Sequence, residues 1–140
     1  MRSTIAFAGL MTLISSVAAG TVSVVNHCNE QKYLTITGPS HESKTMAIAG
    51  HGGSYKDNIS GQGNSWGITN NDQYYSPNTP KLIWGFSDSA PTVYYSVSTV
   101  NGNPQDGESF SLYSACGSTN SADGKTQTCG DNTDFVLNLC

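Results

Sequence analysis

The sequence predicts an all-β protein, a compact β-sandwich of antiparallel strands in one domain. Apolar and polar residues alternate with a period of two, as at Leu82, Trp84 and Phe86, and this alternation is typical of half-buried strands. Clusters of turn-forming residues separate the alternating runs. No window has the spacing of an amphipathic helix. Short strands at regular spacing favour a sandwich or a barrel.

Each predicted strand places its apolar side chains on one face. In chain order these sets are Val22/Val24, Leu34/Ile36, Leu82/Trp84/Phe86, Val93/Tyr95/Val97, Phe110/Leu112 and Phe135/Leu137/Leu139. By the same alternation Trp84 and Tyr95 are core residues. Turns rich in Gly, Pro, Asn and Ser are predicted at residues 38–40, 50–53, 60–64, 76–80 and 101–104.

Residues 1–19 have the layout of a secretory signal peptide. Met1 and Arg2 give a basic start, and an apolar stretch then leads into small residues that end at Ala19. A membrane anchor is the alternative, but the apolar stretch is shorter than the roughly 20 residues that span a bilayer. We therefore expect cleavage after Ala19, secretion, and one mature domain over residues 20–140.

The charge balance argues against several partners. Beyond Arg2 the chain has five lysines, no arginine and ten acidic residues. Affinity for nucleic acid comes largely from Lys and Arg that neutralise phosphates, so we expect neither nucleic acid nor an anionic membrane as a partner. We also expect a monomer without a cofactor.

The cysteines predict a disulfide framework. The mature chain contains Cys28, Cys116, Cys129 and Cys140. An even number in an oxidising compartment predicts two bridges, although spacing does not choose among the three possible pairings. A zinc site is the alternative, but no Cys-x-x-Cys is present and the histidines lie far from the last three cysteines. We expect no metal.

Several segments resemble thaumatin-like proteins. Residues 21–28, with alternating apolar residues and then Asn-x-Cys, resemble the opening strand of that family. Residues 48–55 and 64–69 resemble its next hairpin and its Trp strand, and residues 135–140 resemble its closing strand. Residues 93–107 most resemble a small fungal group, the yeast-phase-specific or antigenic thaumatin-like family. The resemblance covers the mature chain and implies a thaumatin-like sandwich without the extra domains of the plant proteins.

The same resemblance implies a disulfide pairing. In thaumatin-like proteins the first cysteine bonds the last one, which corresponds to Cys28–Cys140 and leaves Cys116 with Cys129. In the chain-entropy model each bridge stabilises the fold by about 3 to 5 kcal/mol.

Some plant thaumatin-like proteins have an acidic cleft that is linked to glucan binding or weak glucanase activity. In an ungapped comparison Ile68, Trp84 and Ser96 stand where the cleft has Arg, Glu and Asp. A shift of one residue places Ile83 or Gly85 at the Glu, and neither is acidic. Glycosidases need two carboxylates about 5 to 10 Å apart, so we predict a protein without catalytic residues.

A Ser-His-acid site is not indicated either. Such a site needs three groups in mutual contact, and the chain has no Gly-x-Ser-x-Gly motif. We expect His27, His41 and His51 to be surface residues.

Aromatic residues beside a polar run form the candidate ligand site. Exposed rings next to amide and carboxylate groups are what sugar faces stack against. The predicted ligand-binding residues are Trp66, Asn70, Asn71, Asp72, Tyr74 and Tyr75. In the alternative interpretation Trp66 is a core residue and the tyrosines cover the sheet. The prolines nearby predict a long, restrained loop.

The sequence therefore favours a non-catalytic, secreted fungal protein that binds a cell-wall or host-surface component, such as a wall polysaccharide, or acts as a surface antigen. A secreted effector that binds a host protein is the alternative, and a β-glucan hydrolase is a weaker one. Asn58, in Asn58-Ile59-Ser60, is a predicted N-glycosylation site.

Overall fold

The computed structural model describes residues 19–104 and 109–140, which form two β-sheets and no helix. The predicted all-β fold is confirmed, and no helix in the described ranges could cross a membrane. Most of the predicted signal peptide lies outside these ranges and stays a prediction. The strands are β1 (Thr21–Asn26), β2 (Lys32–Thr37), β3 (Ser43–Ile48), β4 (Gly53–Asn58), β5 (Asn64–Thr69), β6 (Lys81–Ser89), β7 (Thr92–Val100), β8 (Phe110–Ser114), β9 (Gly117–Thr119), β10 (Gln127–Gly130) and β11 (Phe135–Leu139).

The strands divide into a five-stranded sheet, in the order β4-β1-β11-β8-β9, and a six-stranded sheet, in the order β10-β7-β6-β5-β2-β3. The prediction of antiparallel strands is wrong at one place, because β1 and β11 run parallel, with Val22 opposite Phe135. A parallel pair cannot be joined by a tight turn. In the sequence, nearly the whole domain therefore separates these two strands, although they are neighbours in the sheet.

The core lies between the sheets and contains the side chains that the alternation predicted to face inward. Trp84 is fully buried in the six-stranded sheet, and its ring centroid lies 5.6 Å from that of Trp66 and 6.2 Å from that of Phe135 in the facing sheet. Tyr95 packs edge-on against Phe135 at 4.9 Å. The predicted core positions of Trp84 and Tyr95 are thus confirmed.

The two disulfides pair as the resemblance implied, and each constrains a different part of the sandwich. Cys28 follows β1 and bonds Cys140, which follows β11, over a sequence separation of 112. Cys116 lies in the turn between β8 and β9 and bonds Cys129 in β10, over a separation of 13. The first bridge locks the parallel strand pair, and the second joins the edges of the two sheets.

The buried side chain of Asn26 connects the sheets at the opposite edge. Its amide group, at the end of β1, donates to the carbonyl oxygens of Glu30 at 2.9 Å, Ile48 at 3.0 Å and Ala49 at 3.2 Å. Its Oδ1 accepts the backbone N–H of Cys28 at 3.1 Å. Because buried polar groups need partners, this one side chain determines both the turn after β1 and the end of β3.

We expect the two disulfides to contribute unequally to stability. Loss of Cys28–Cys140 in the Cys28→Ala/Cys140→Ala variant should lower the free energy of unfolding by about 5 kcal/mol, because this bridge closes the longer loop. Loss of Cys116–Cys129 in the corresponding variant should cost about 3 kcal/mol. Urea unfolding of both variants measures the difference, and a reversed order would contradict the assignment.

Asn26→Ala should lower the free energy of unfolding by about 2 to 4 kcal/mol, since it leaves buried carbonyl oxygens without a donor. Asn29→Ala is the matched control, because Asn29 is exposed in the same turn and its loss should cost less than about 0.5 kcal/mol. Urea unfolding compares the two variants, and equal effects would show that the Asn26 amide does not hold the turn.

Candidate functional site

Residues 70–80, which we call the 70–80 loop, lie against the outward face of the six-stranded sheet and contain no strand, as predicted. The loop is anchored by Tyr74, whose ring lies directly on Gly67 in β5. A Cβ atom at Gly67 would be 2.1 Å from Cε2 of that ring. The Nζ atom of Lys81 lies over the same ring, 5.1 Å from its centroid. Tyr74 therefore holds the loop down instead of projecting from it.

The tyrosine hydroxyl is tied to the same sheet. Burial raises the pKa of Tyr74, and a hydrogen bond with the Ser65 side chain offsets part of that rise. The phenol therefore keeps its proton at neutral pH. A half-buried, hydrogen-bonded ring is an anchor, so the expectation that Tyr74 is an open ligand contact needs correction.

Tyr75, by contrast, is presented to solvent. Its side chain is 68% exposed. The ring stands at 90° to that of Tyr74 with 5.0 Å between centroids, and its hydroxyl is hydrogen-bonded to the Ser43 hydroxyl in β3. Contacts at both ends hold the ring in place while one face stays accessible. Tyr75 is thus the accessible aromatic group of the predicted site.

The predicted polar residues of the site, Asn70, Asn71 and Asp72, are exposed, but their side chains form hydrogen bonds within the protein. Asn70 accepts from Lys32 Nζ at 2.9 Å and donates to the Pro104 carbonyl at 3.0 Å. The side chains of Asn71 and Asp72 each accept a hydrogen bond from Gln73 at 2.9 Å. These contacts shape the loop that carries Tyr75.

Trp66 does not belong to the accessible surface. It is only 2% exposed, and its ring contacts the rings of Tyr55, Trp84 and Phe86 in and around the core. Alternation along β5 points Trp66 inward, so the prediction of Trp66 as a ligand contact is wrong. The alternative interpretation, that Trp66 is a core residue, holds.

The positions compared with the acidic cleft of plant proteins do not share one surface. Ile68 and Trp84 are buried in the core, whereas Ser96 points outward beside Gly85. The outward positions on β5 and β6 are those one residue away, including Ile83. A shift of one residue, to Ile83 or Gly85, gives outward positions on β6, and neither side chain is acidic.

A shallow groove of about 250 Å³ lies over Gly85 on this outward face. Glycine there leaves a depression, since the nearest atom to a Cβ at that position would be the Ser96 hydroxyl at 3.7 Å. Hydroxyl groups are the main polar groups of the groove, and no carboxylate is among the described residues that line it. Its lining residues are Asn64, Gly85, Phe86, Ser87, Tyr94, Tyr95, Ser96 and Thr126.

A larger groove of about 340 Å³ lies at the edge where the two sheets diverge, and we call it the edge groove. Its lining residues are Ile36, Gly38, Ser40, Glu42, Ser43, Lys44, Tyr55 and Asp57. Sequence reasoning missed this groove, because its walls come from β3, β4 and the turn after β2. No local motif joins these segments, and only their packing brings the side chains together.

Tyr55 organises one wall of the edge groove. Its ring centroid lies 5.5 Å from that of Trp66, and its hydroxyl donates to Asp57 Oδ2 at 3.3 Å. Burial, and then the charge and hydrogen bond of Asp57, raise the pKa of Tyr55. The hydroxyl therefore stays protonated and orients the Asp57 carboxylate.

The remaining candidate groups are not among the residues that line either groove, although His41 lies between Ser40 and Glu42 of the edge groove and Asn58 follows Asp57. His27, His41 and His51 are exposed, as expected, and His27 Nε2 lies 3.2 Å from Asn138 Oδ1. Asn58 is exposed at the end of the edge strand β4. Within residues 19–104 and 109–140, no group of three or more His, Cys, Asp or Glu side chains is placed to hold a metal ion.

The fold has known counterparts. The crystal structure of the protein elicitor MoHrip2 from Magnaporthe oryzae superposes with a TM-score of 0.69 at 16% identity, covering 87% of this chain and 99% of that one. The thaumatin-like xylanase inhibitor TLXI superposes with a TM-score of 0.61 at 10% identity, covering 85% and 98%. The sandwich is therefore thaumatin-like, as the resemblance implied.

Sequence comparison gives the family. No curated protein sequence matches the chain. The family model described as Bys1, Blastomyces yeast-phase-specific protein, matches residues 9–140. Since this match spans nearly the whole sequence and agrees with the thaumatin-like fold, the chain belongs to the Blastomyces yeast-phase-specific protein (Bys1) family.

Proposed function

We propose that this protein is a secreted, non-catalytic binding protein whose ligand is a cell-wall polysaccharide held at the 70–80 loop. The observation that carries the proposal is Tyr75, an accessible ring that is fixed by Tyr74 on one side and by Ser43 on the other. Sugar rings stack on aromatic faces, and a ring that is already ordered loses little entropy when it binds.

The surroundings of Tyr75 support a sugar ligand over an anionic one. The chain carries a formal net charge of −4, which opposes phosphates but not neutral sugars. Asp72 and Gln73 are exposed in the same loop and offer hydrogen-bonding groups to hydroxyls. The two prolines in the loop, Pro77 and Pro80, limit its freedom before binding.

The proposal of a non-catalytic protein rests on the chemistry around the loop. Two carboxylates about 5 to 10 Å apart across a sugar are needed for glycoside hydrolysis. The groove over Gly85, which lies on the same sheet face, is lined by hydroxyl and aromatic groups. A ligand in this groove would meet no carboxylate among the described lining residues, so it would be held there but not cleaved.

A protein partner is the second candidate. The observation in its favour is that one protein with this fold is a xylanase inhibitor, which shows that the sandwich can present a protein-binding surface. Such a surface usually contains a contiguous apolar patch. The exposed large apolar side chains in the described ranges are Tyr75 in the 70–80 loop, Tyr94 and Val100 near opposite ends of β7, and Tyr113 in β8. We therefore favour the polysaccharide.

We further propose that Asn58 carries an N-glycan. It is exposed at the end of an edge strand, and the sequence Asn58-Ile59-Ser60 meets the acceptor requirement. Its side chain shares the outward face of the five-stranded sheet with Thr21, so a glycan there would leave the 70–80 loop open.

Tyr75→Ala should weaken binding to insoluble wall polysaccharide by about tenfold, because the accessible stacking face is removed. The matched control is Tyr113→Ala, since Tyr113 is 52% exposed on the other sheet. Both variants should keep the melting temperature of the unchanged protein. Depletion of the protein from solution by wall material measures binding, and no release of reducing sugar should accompany it. If Tyr75→Ala binds as well as Tyr113→Ala, the loop is not the site and the protein-partner hypothesis gains support.

Gly67→Ala should also weaken binding to wall polysaccharide by about tenfold, although residue 67 itself lies beneath the loop and does not contact the ligand. A Cβ there overlaps the Tyr74 ring, so the ring and the loop above it must move. Gly85→Ala is the matched control, because it adds the same methyl group to the same sheet face with no atom closer than 3.7 Å. NMR shifts of the Tyr74 and Tyr75 rings report loop movement. A Gly67→Ala protein with displaced rings and unchanged binding would contradict the proposed site.

A further inference from the structure

The edge groove is built from parts of both sheets. β3 and β4 are consecutive edge strands of different sheets, joined by the short turn at residues 49–52. From this turn they diverge, and the groove occupies the gap between Ser43 and Lys44 at the start of β3 and Asp57 near the end of β4. Its volume of about 340 Å³ falls within the range of about 300 to 1,000 Å³ for small-molecule sites.

The lining of the groove combines an apolar base with charged walls. Ile36 and Tyr55 pack against the core and form the apolar part. Glu42 and Asp57 contribute two carboxylates, and Lys44 contributes one ammonium group. Among the described residues neither Glu42 nor Lys44 forms a salt bridge, and Asp57 is oriented by Tyr55. Two carboxylates against one ammonium group leave the described lining of the groove with an excess of one negative charge.

The edge groove is continuous with the 70–80 loop. Ser43, one of its lining residues, is hydrogen-bonded through its hydroxyl to Tyr75. Tyr75 therefore stands on the outward side of the edge strand β3, and a surface that crosses this edge at Ser43 leads into the groove and reaches Asp57. A surface with an accessible ring at one end and an acidic groove at the other suits an extended chain better than a single compact ligand.

We propose that the edge groove binds a sugar unit carrying a free ammonium group, so that the preferred ligand is an amino-sugar polysaccharide running from Tyr75 to Asp57. This inference rests on the proposed function in taking a glycan as the ligand. The sugar hydroxyls and ring would contact Tyr55 and Ile36, while the ammonium group would pair with Glu42 and Asp57. Lys44 opposes the cation and moderates its affinity. A neutral glucan meets the aromatic contacts but not the charge.

Isothermal titration calorimetry with three oligosaccharides tests this selectivity. The probes are a β-1,4-linked glucosamine hexamer, its N-acetylated counterpart and a β-1,3-linked glucose hexamer. At low ionic strength the glucosamine hexamer should bind about tenfold more tightly than either neutral hexamer, as two surface charge pairs would produce. Added salt should reduce this preference, since exposed charges are screened.

Two variants that remove charges of opposite sign from the groove make the test specific to it. Glu42→Gln should weaken binding of the glucosamine hexamer by about threefold to fivefold, and Lys44→Gln should strengthen it by a similar factor. Glu30→Gln is the matched control, because Glu30 is an exposed acid in a turn outside the groove, and it should leave the affinity unchanged. Circular dichroism confirms that each exposed-site variant is folded.

Equal affinity for the three hexamers, or identical effects of Glu42→Gln and Glu30→Gln, would overturn the inference. If the glucose hexamer binds with equal affinity and its binding depends on Tyr75, the proposed function stands and only the amino-sugar preference fails. If the glucosamine hexamer binds through Glu42 without dependence on Tyr75, the groove is confirmed and the loop site fails.

Discussion

The sandwich depends at its open edge on one buried amide, that of Asn26. Its side chain is fully buried at the end of β1 and reaches carbonyl oxygens at the end of β3 in the other sheet. Burying this amide without hydrogen-bond partners would destabilise the folded state, because the group loses its contacts with water. The two strand ends must therefore stay where these hydrogen bonds can form. Backbone contacts reinforce the arrangement, since Gly52 N–H donates to the Asn26 carbonyl at 2.7 Å. This contact determines where β3 and β4 meet and from which point they diverge.

The opposite edge is held covalently. Cys116–Cys129 joins the turn after β8 to β10, whereas Cys28–Cys140 secures the parallel pair of β1 and β11. A domain of this size buries only a modest core, and bridges that restrict the unfolded chain compensate for that. With one edge closed by a disulfide and the other held by hydrogen bonds at a single turn, the space for a groove lies at the latter edge.

The proposed binding surface follows from these constraints and from one glycine. Because Gly67 has no side chain, the ring of Tyr74 can lie on β5 and bring the 70–80 loop down onto the sheet. The same docking places Tyr75 beside Ser43, at the mouth of the edge groove. An aromatic ring, an acidic groove and a shared serine thereby meet at the edge strand β3, although they come from four separate segments of the chain.

The sequence by itself predicted six of the strands with their inward faces, the turns and the loop, because alternation and turn chemistry are local properties of neighbouring residues. It did not predict the short or exposed strands β3, β9 and β10. It also identified the family, whose strand order implied the correct disulfides. It did not reveal that β1 and β11 are parallel, since pairing between chain ends is not a local property. The sequence did not decide whether Trp66 is a core residue or a ligand contact, and the packing of β5 places it in the core. Nor did the sequence predict that Tyr74 anchors the 70–80 loop on Gly67. The edge groove of Glu42, Lys44, Tyr55 and Asp57 was decided only by the tertiary structure, because it exists where the edges of two sheets diverge.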